Sequence, residues 1–161
     1  MFRSVMGHFC TGVTVVTGRG PDTPRGPGTP MGFTCQSFSS LSLQPPRVVL
    51  CVSRTSSSWP VIRSSGTFCI NVLAQHQHGL SERFAHSGGD KFAGVEWSAA
   101  PSGSPRLAGA SAWIDCSLHA ELDGGDHLIV VGDVHRLGAS PDAPAPLLYH
   151  RGRYTRTADV G

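Results

Sequence analysis

"AGASAWIDCSLHAELDGGDHLIVVGDVHRL", residues 108–137, carries the clearest long-range pattern in the chain. Its two arms, 108–122 and 127–137, are alternating or continuously apolar, the pattern of strands that bury one or both faces. Between them stands Asp123-Gly124-Gly125-Asp126. Gly and Asp accept the left-handed backbone of tight hairpin turns, so the stretch predicts one long antiparallel hairpin. The rest of the chain reads as strands added to that hairpin.

Working outward, Val13–Thr17 is β-branched throughout, and further strands are expected at 31–36, 46–53, 67–73 and 146–150. The Gly- and Pro-rich run between residues 18 and 30 is a connection between strands. Two helical segments interrupt the strands, one at 56–63 behind a serine cap and one at 75–85, where Leu80, Phe84 and Ala85 share a face. A third, at residues 2–10, places Phe2, Val5, Met6 and Phe9 on one side and is expected to lie against the body. Many strands, few helices and abundant turns predict a mainly β fold, a closed or partly closed barrel with accessory helices.

The 161 residues suit one domain, 1–161. Only 15% of them are charged and the formal net charge is +2, which argues against DNA or an anionic membrane as the main partner and for a small ligand. No apolar run approaches the roughly 20 residues of a membrane span, and the N-terminus has no signal-peptide core, so a cytoplasmic protein is expected. Five cysteines, odd in number and never spaced Cys-x-x-Cys, read as buried free thiols. The eight histidines show no ligand spacing, so no metal site is expected. The signatures of nucleophile elbows, phosphate loops, zinc proteases and dinucleotide-binding helices are all missing.

What remains is a set of loops with many neutral donors. Gln36, Ser37, Ser39, Ser40 and Ser42 surround the apolar Phe38, Leu41 and Leu43, a combination suited to a flat heterocycle with several carbonyls and ring nitrogens. One such serine would be a turn residue; four around a phenylalanine fit the turn and the ligand reading equally. A second cluster, Ser53, Arg54, Thr55, Ser56, Ser57, Ser58 and Trp59, stands where a strand enters a helix and suits a phosphate. Lys91, between Asp90 and Phe92, adds a cation. His127 opens a strand at the rim of the sheet, where an imidazole can stack or hydrogen-bond. Tyr149, His150, Arg151, Gly152, Arg153 and Tyr154 read either as a place for a second ring and a pyrophosphate or as an edge strand with solvated charges.

In order and spacing, "GFTCQSFSSLSLQPPRVVLCV", "FCINVLAQHQHGLSERFA", "DKFAGVEW", "GDHLIVVGDV" and "PLLYHRGRY" resemble the flavin reductases that supply two-component monooxygenases. The resemblance spans roughly residues 2–155 and is strongest to the reductase partners of hydroxylases in steroid breakdown and enediyne antibiotic biosynthesis. It implies a flavin-binding split β-barrel, a homodimer with flavin near the interface, and an NADH-dependent reductase of FAD or FMN whose reduced flavin passes to a partner monooxygenase. It implies that Gln36–Ser40 with Ser42 and Leu43 wrap the ring and ribityl chain, and that Ser53–Trp59 receive phosphate. It further implies that Asp90, Lys91 and Phe92 close over the flavin, that His127 faces the nicotinamide, and that Tyr149–Gly152 contact the dinucleotide. Two alternatives keep the same barrel: an oxidase that retains FMN, and a non-catalytic flavin-binding or storage module.

Overall fold

A computed structural model describes residues 1–142 and 144–160. The long hairpin is present: β9 (Ala112–Gly124) and β10 (His127–Ala139) pair antiparallel from His127↔Gly124 to Ala139↔Ala112. Five more strands join it: β2 (Thr14–Arg19), β3 (Pro30–Cys35), β4 (Ser39–Leu43), β5 (Pro46–Ser53) and β6 (Thr67–Val72). They form one antiparallel sheet ordered β3-β2-β6-β9-β10-β5-β4. No ladder among the described residues pairs β3 with β4, so those two strands are its edges. Beside it lie a sheet of β1 (Thr11–Gly12), β11 (Leu148–His150) and β12 (Arg153–Thr155), and a hairpin of β7 (Trp97–Ala99) with β8 (Pro105–Leu107). The fold is mainly β.

Two apolar clusters flank β2. Val16 faces one, with Leu50, Val52, Trp59, Ile62, Phe68, Ile70 and Val130; Val13 and Val15 face the other, with Leu73, Phe84, Phe92, Leu107 and Leu147. Burial on both sides explains why this stretch is β-branched throughout instead of alternating, its two buried threonines donating to the Cys35 and Cys69 carbonyls. Glycine admits the aromatic rings at two points. A Cβ on Gly132 would stand 2.7 Å from the Phe68 ring, and one on Gly32 would stand 2.8 Å from the Phe84 ring. Helices α2 (Trp59–Ser65) and α3 (His78–Ala85) lie against β2 and β3.

Several local expectations change. The arm expected to run unbroken from residue 108 begins only at Ala112: a left-handed turn at Gly109 separates β8, which ends at Leu107, from β9. The serine-rich insert between two strands contains a strand of its own, β4. The N-terminal helix, α1 (Phe2–Met6), buries none of its side chains, so its apolar face is not laid against the body. All five cysteines are free, but Cys10 is exposed and Cys51 half-buried. Burial pushes the Cys69 and Cys116 thiols up to about 12, which leaves both un-ionised and inert at neutral pH. Among the described residues no helix is long and apolar enough to cross a membrane, and no cluster of three or more potential ligands could hold a metal.

Candidate functional site

A cleft of about 470 Å³ opens between the C-terminal end of β3, the turn from β5 into α2, and the loop after α3. Gly32 organises it. Its carbonyl accepts from Ser58 Oγ at 3.0 Å and from Lys91 Nζ at 3.2 Å, and its missing side chain leaves room for Phe84. Lys91 also donates to the Phe84 carbonyl at 3.2 Å, so the ammonium is tied to both β3 and the last turn of α3. Desolvation lowers the Lys91 pKa, and no carboxylate pairs with it among the described residues. A desolvated cation held only by neutral carbonyls is a place where an anion gains an interaction that water does not already supply.

The serines divide into holders and free donors. Ser37 Oγ donates to the Cys51 carbonyl at 3.0 Å and accepts from the Cys51 N–H at 2.9 Å, locking residues 35–37 onto β5. Ser56 Oγ accepts from the Trp59 N–H at 3.2 Å, and the Ser53 and Thr55 hydroxyls bond each other at 2.8 Å, shaping the turn. Ser57 is exposed at the cleft wall and its hydroxyl has no partner among the described residues. Arg54 is spent elsewhere: Nε donates to the Gly125 carbonyl at 2.7 Å and Nη2 pairs with Asp123, stapling the hairpin turn to the end of β5. The staple places His127 opposite Ser53, on the cleft wall. His127 Nδ1 lies 2.7 Å from Asp126 Oδ1; because a carboxylate only accepts, Nδ1 carries the proton and Nε2 is the free ring nitrogen. That bond is the main reason the Asp126 carboxyl sits below the usual carboxylate range.

Of the residues singled out in the sequence, the cleft brings together Gln36, Ser37, Ser53, Thr55, Ser56, Ser57, Ser58, Lys91 and His127. Trp59 and Phe92 face the two cores: Trp59 is 2% exposed between Phe33 and Phe68, and Phe92 packs edge-on against Phe84. Asp90 accepts from the Phe92 N–H and forms the turn that presents Lys91. Phe38 packs on the first core, while Ser39, Ser40, Ser42 and Leu43 belong to β4. Tyr149, Arg151 and Gly152 line a second cleft, of about 360 Å³, and His150 lines another, of about 510 Å³, with Arg151 and Arg153. Sequence reasoning missed Phe33, Thr34, Cys35, Cys51 and the 84–87 segment, all on the main cleft. For Cys51 a signal existed: it alternates with the core-facing Leu50 and Val52 and stands two residues from Ser53.

Among the described residues lining the main cleft there is no carboxylate; the ionisable groups are two cysteines, His86, His127 and Lys91. Neutral hydroxyls, an amide, two aromatic rings and one cation are groups suited to an uncharged ring that carries an anionic tail. The chain belongs to the flavin reductase like domain family, whose model matches residues 6–158. It is 49% identical over 96% of its length, and 75% of the relative's, to the reductase subunit HsaB of a flavin-dependent monooxygenase from Rhodococcus jostii. The crystal structure of nitrilotriacetate monooxygenase component B from Mycobacterium thermoresistibile superposes with a TM-score of 0.91 at 47% identity, covering 98% of this chain and 85% of that one. The NADH:FAD oxidoreductase SgcE6 of Streptomyces globisporus, solved with NAD and FAD fragments, gives 0.88 at 37% identity over 98% of this chain and 91% of that one.

Proposed function

We propose that the protein is an NADH-dependent flavin reductase that releases reduced FAD or FMN to a partner monooxygenase. The observation that carries this reading is the carboxylate-free cleft with Lys91 and His127 on its walls, in a chain of this family. When bound, the flavin supplies a ring that takes a hydride from the nicotinamide, which asks the protein for alignment and water exclusion more than for a strong acid or base. In this reading Gln36 and the backbone around Ser37 face the ring, Ser57 and Lys91 meet the phosphate, and His127 faces the nicotinamide. Ser53 and Ser58 shape the walls, and Phe38, Ser39, Ser40, Ser42 and Leu43 build the edge that flanks the ring. Asp90, Phe92 and Trp59 support the site from behind, while Arg54 sets the turn that presents His127.

The contacts to the ring are neutral and dispersed, which suits a flavin that must leave after each turnover. The same reading takes the open seven-stranded sheet as a split β-barrel formed by a single domain. It places the protein in the cytoplasm and makes it a homodimer whose contact includes the β4 edge, where Leu41 and Leu43 are exposed. The direct test follows NADH consumption by the purified protein with and without added FAD, FMN or riboflavin. Turnover that requires added flavin is the expected result. Flavin binding without turnover on NADH or NADPH would overturn the reductase reading in favour of a binding module, and tightly retained FMN would favour an oxidase.

A further inference from the structure

The hairpin tip that leads into His127 stands in water. Residues 123–126 are all exposed, Asp123 with 81% and Asp126 with 94% of its side chain accessible, so hydrogen bonds and not packing must fix the tip. Arg54, 71 residues from Gly125 in the chain, supplies them. Its backbone N–H donates to the Asp126 carbonyl at 3.1 Å, one step beyond the Ser53↔His127 rung of the β5–β10 ladder. Its side chain grips the turn at two points: Nε donates to the Gly125 carbonyl at 2.7 Å and Nη2 donates to Asp123 Oδ1. The same Asp123 oxygen accepts from the Gly125 N–H at 3.3 Å, so one carboxylate braces both its own turn and the guanidinium. The bond from Arg54 is the main reason the Asp123 carboxyl sits below the usual carboxylate range. A guanidinium is a rigid planar fork, which lets it serve a carbonyl and a carboxylate together.

We propose that Arg54 is a positioning residue for hydride transfer: by fixing the 123–126 turn it sets where His127 stands on the cleft wall, and it is not a phosphate contact. The family resemblance implied a phosphate role for the whole run Ser53–Trp59. In the structure both arms of the Arg54 guanidinium are engaged by the turn, and among the described residues Arg54 does not line the main cleft, although its neighbours Ser53 and Thr55 do. The competing account is an exposed ion pair that only adds stability, and such pairs add little. Displacing a group at the reacting face by about 1 Å, in contrast, costs rate steeply. The proposal rests on the flavin reductase reading and names the residue that governs its nicotinamide face.

The test measures hydride-transfer rates and flavin dissociation constants for Arg54→Ala, with FMN and with riboflavin, which has no phosphate. The expected result is a rate lower by about tenfold with both flavins, and dissociation constants within about twofold of wild type. In a His127→Ala background the same substitution should slow the reaction by no more than about twofold, because Arg54 acts through the imidazole. Arg54→Lys, which can keep one of the two side-chain bonds, should recover part of the rate. Asp123→Ala, at an exposed position and with the Gly125 bond retained, should lose part of it. Should Arg54→Ala not fold, Asp123→Ala alone and combined with His127→Ala reads the same coupling. Weakened FMN binding with riboflavin binding spared would make Arg54 a phosphate contact and overturn the proposal. Unchanged rates in both Arg54→Ala and Asp123→Ala would overturn it too, as would a tenfold loss that persists in the His127→Ala background. Wild type that reduces no flavin would instead overturn the reductase reading itself.

Discussion

At the scale of single residues, the site depends on a few side chains that fix others. Asp126 orients the His127 ring, Arg54 holds the turn that carries both, and Gly32 gathers Ser58 and Lys91 on one carbonyl. His127→Ala therefore removes the group proposed to face the nicotinamide without touching the contacts that hold the serines. The expected outcome in stopped-flow reduction is a hydride-transfer rate lower by about tenfold or more, with the dissociation constant for oxidised flavin nearly unchanged. An unchanged rate would remove His127 from the reaction. The position of His127 at the start of β10 was legible because Gly125-Asp126-His127 closes a hairpin turn. Trp59 was not, because a tryptophan one residue after a serine cluster can face either side of the helix it begins. Its burial was decided by Phe33 and Phe68, which come from other strands.

At the scale of elements, strands were readable wherever one face or both met a core. β5, β6 and β10 stand within two residues of where alternation or continuous apolarity placed them. β4 escaped notice because it buries almost nothing: its side chains carry no pattern, and its backbone bonds to β5 define it. The cleft-lining 84–87 segment escaped for a related reason, since only the packing of α3 on β3 turns its end toward the site. On the outer face of the sheet, Arg47 of β5, Asp133 of β10 and His119 of β9 tie three neighbouring strands together. Arg47 Nε lies 2.8 Å from Asp133 Oδ1, and His119 Nδ1 lies 3.0 Å from Asp133 Oδ2. The hydrogen bond from Arg47 is the chief cause of the lowered Asp133 pKa. A carboxyl depressed in the folded state contributes stability above its unfolded pKa of about 3.9 and loses it as pH falls through the folded value. Asp133→Asn is thus less stable than wild type to urea at pH 7, and the gap closes as pH drops below about 4. A gap that persists unchanged into acid would show that the triad contributes through packing and not through charge.

At the scale of the whole molecule, the main cleft lies beside the β4 edge of the sheet. Among the described residues β4 pairs with β5 alone, with a bulge between Ser40 and Ser42, and from Cys35 to Pro46 the chain contains no charged residue, so no charge there repels another strand or surface. Isolated edges of this kind are ordinarily blunted by charges, bulges or a covering element. Here Leu41 is 53% exposed and Leu43 88%, an apolar presentation that a monomer does not need and a second subunit can cover. The same edge continues from Gln36 and Ser37, which line the main cleft, so a partner seated on it also shields that end of the cleft. Leu43→Asp tests this arrangement at little cost to the protomer, since the side chain it replaces is almost fully in water. Light scattering should show a dimer for wild type and a monomer for the variant, and the monomer should bind flavin several-fold more weakly through loss of that shielding. A variant that stays dimeric would move the interface to another face, whereas a monomer that binds flavin as tightly as wild type would separate the β4 contact from the site.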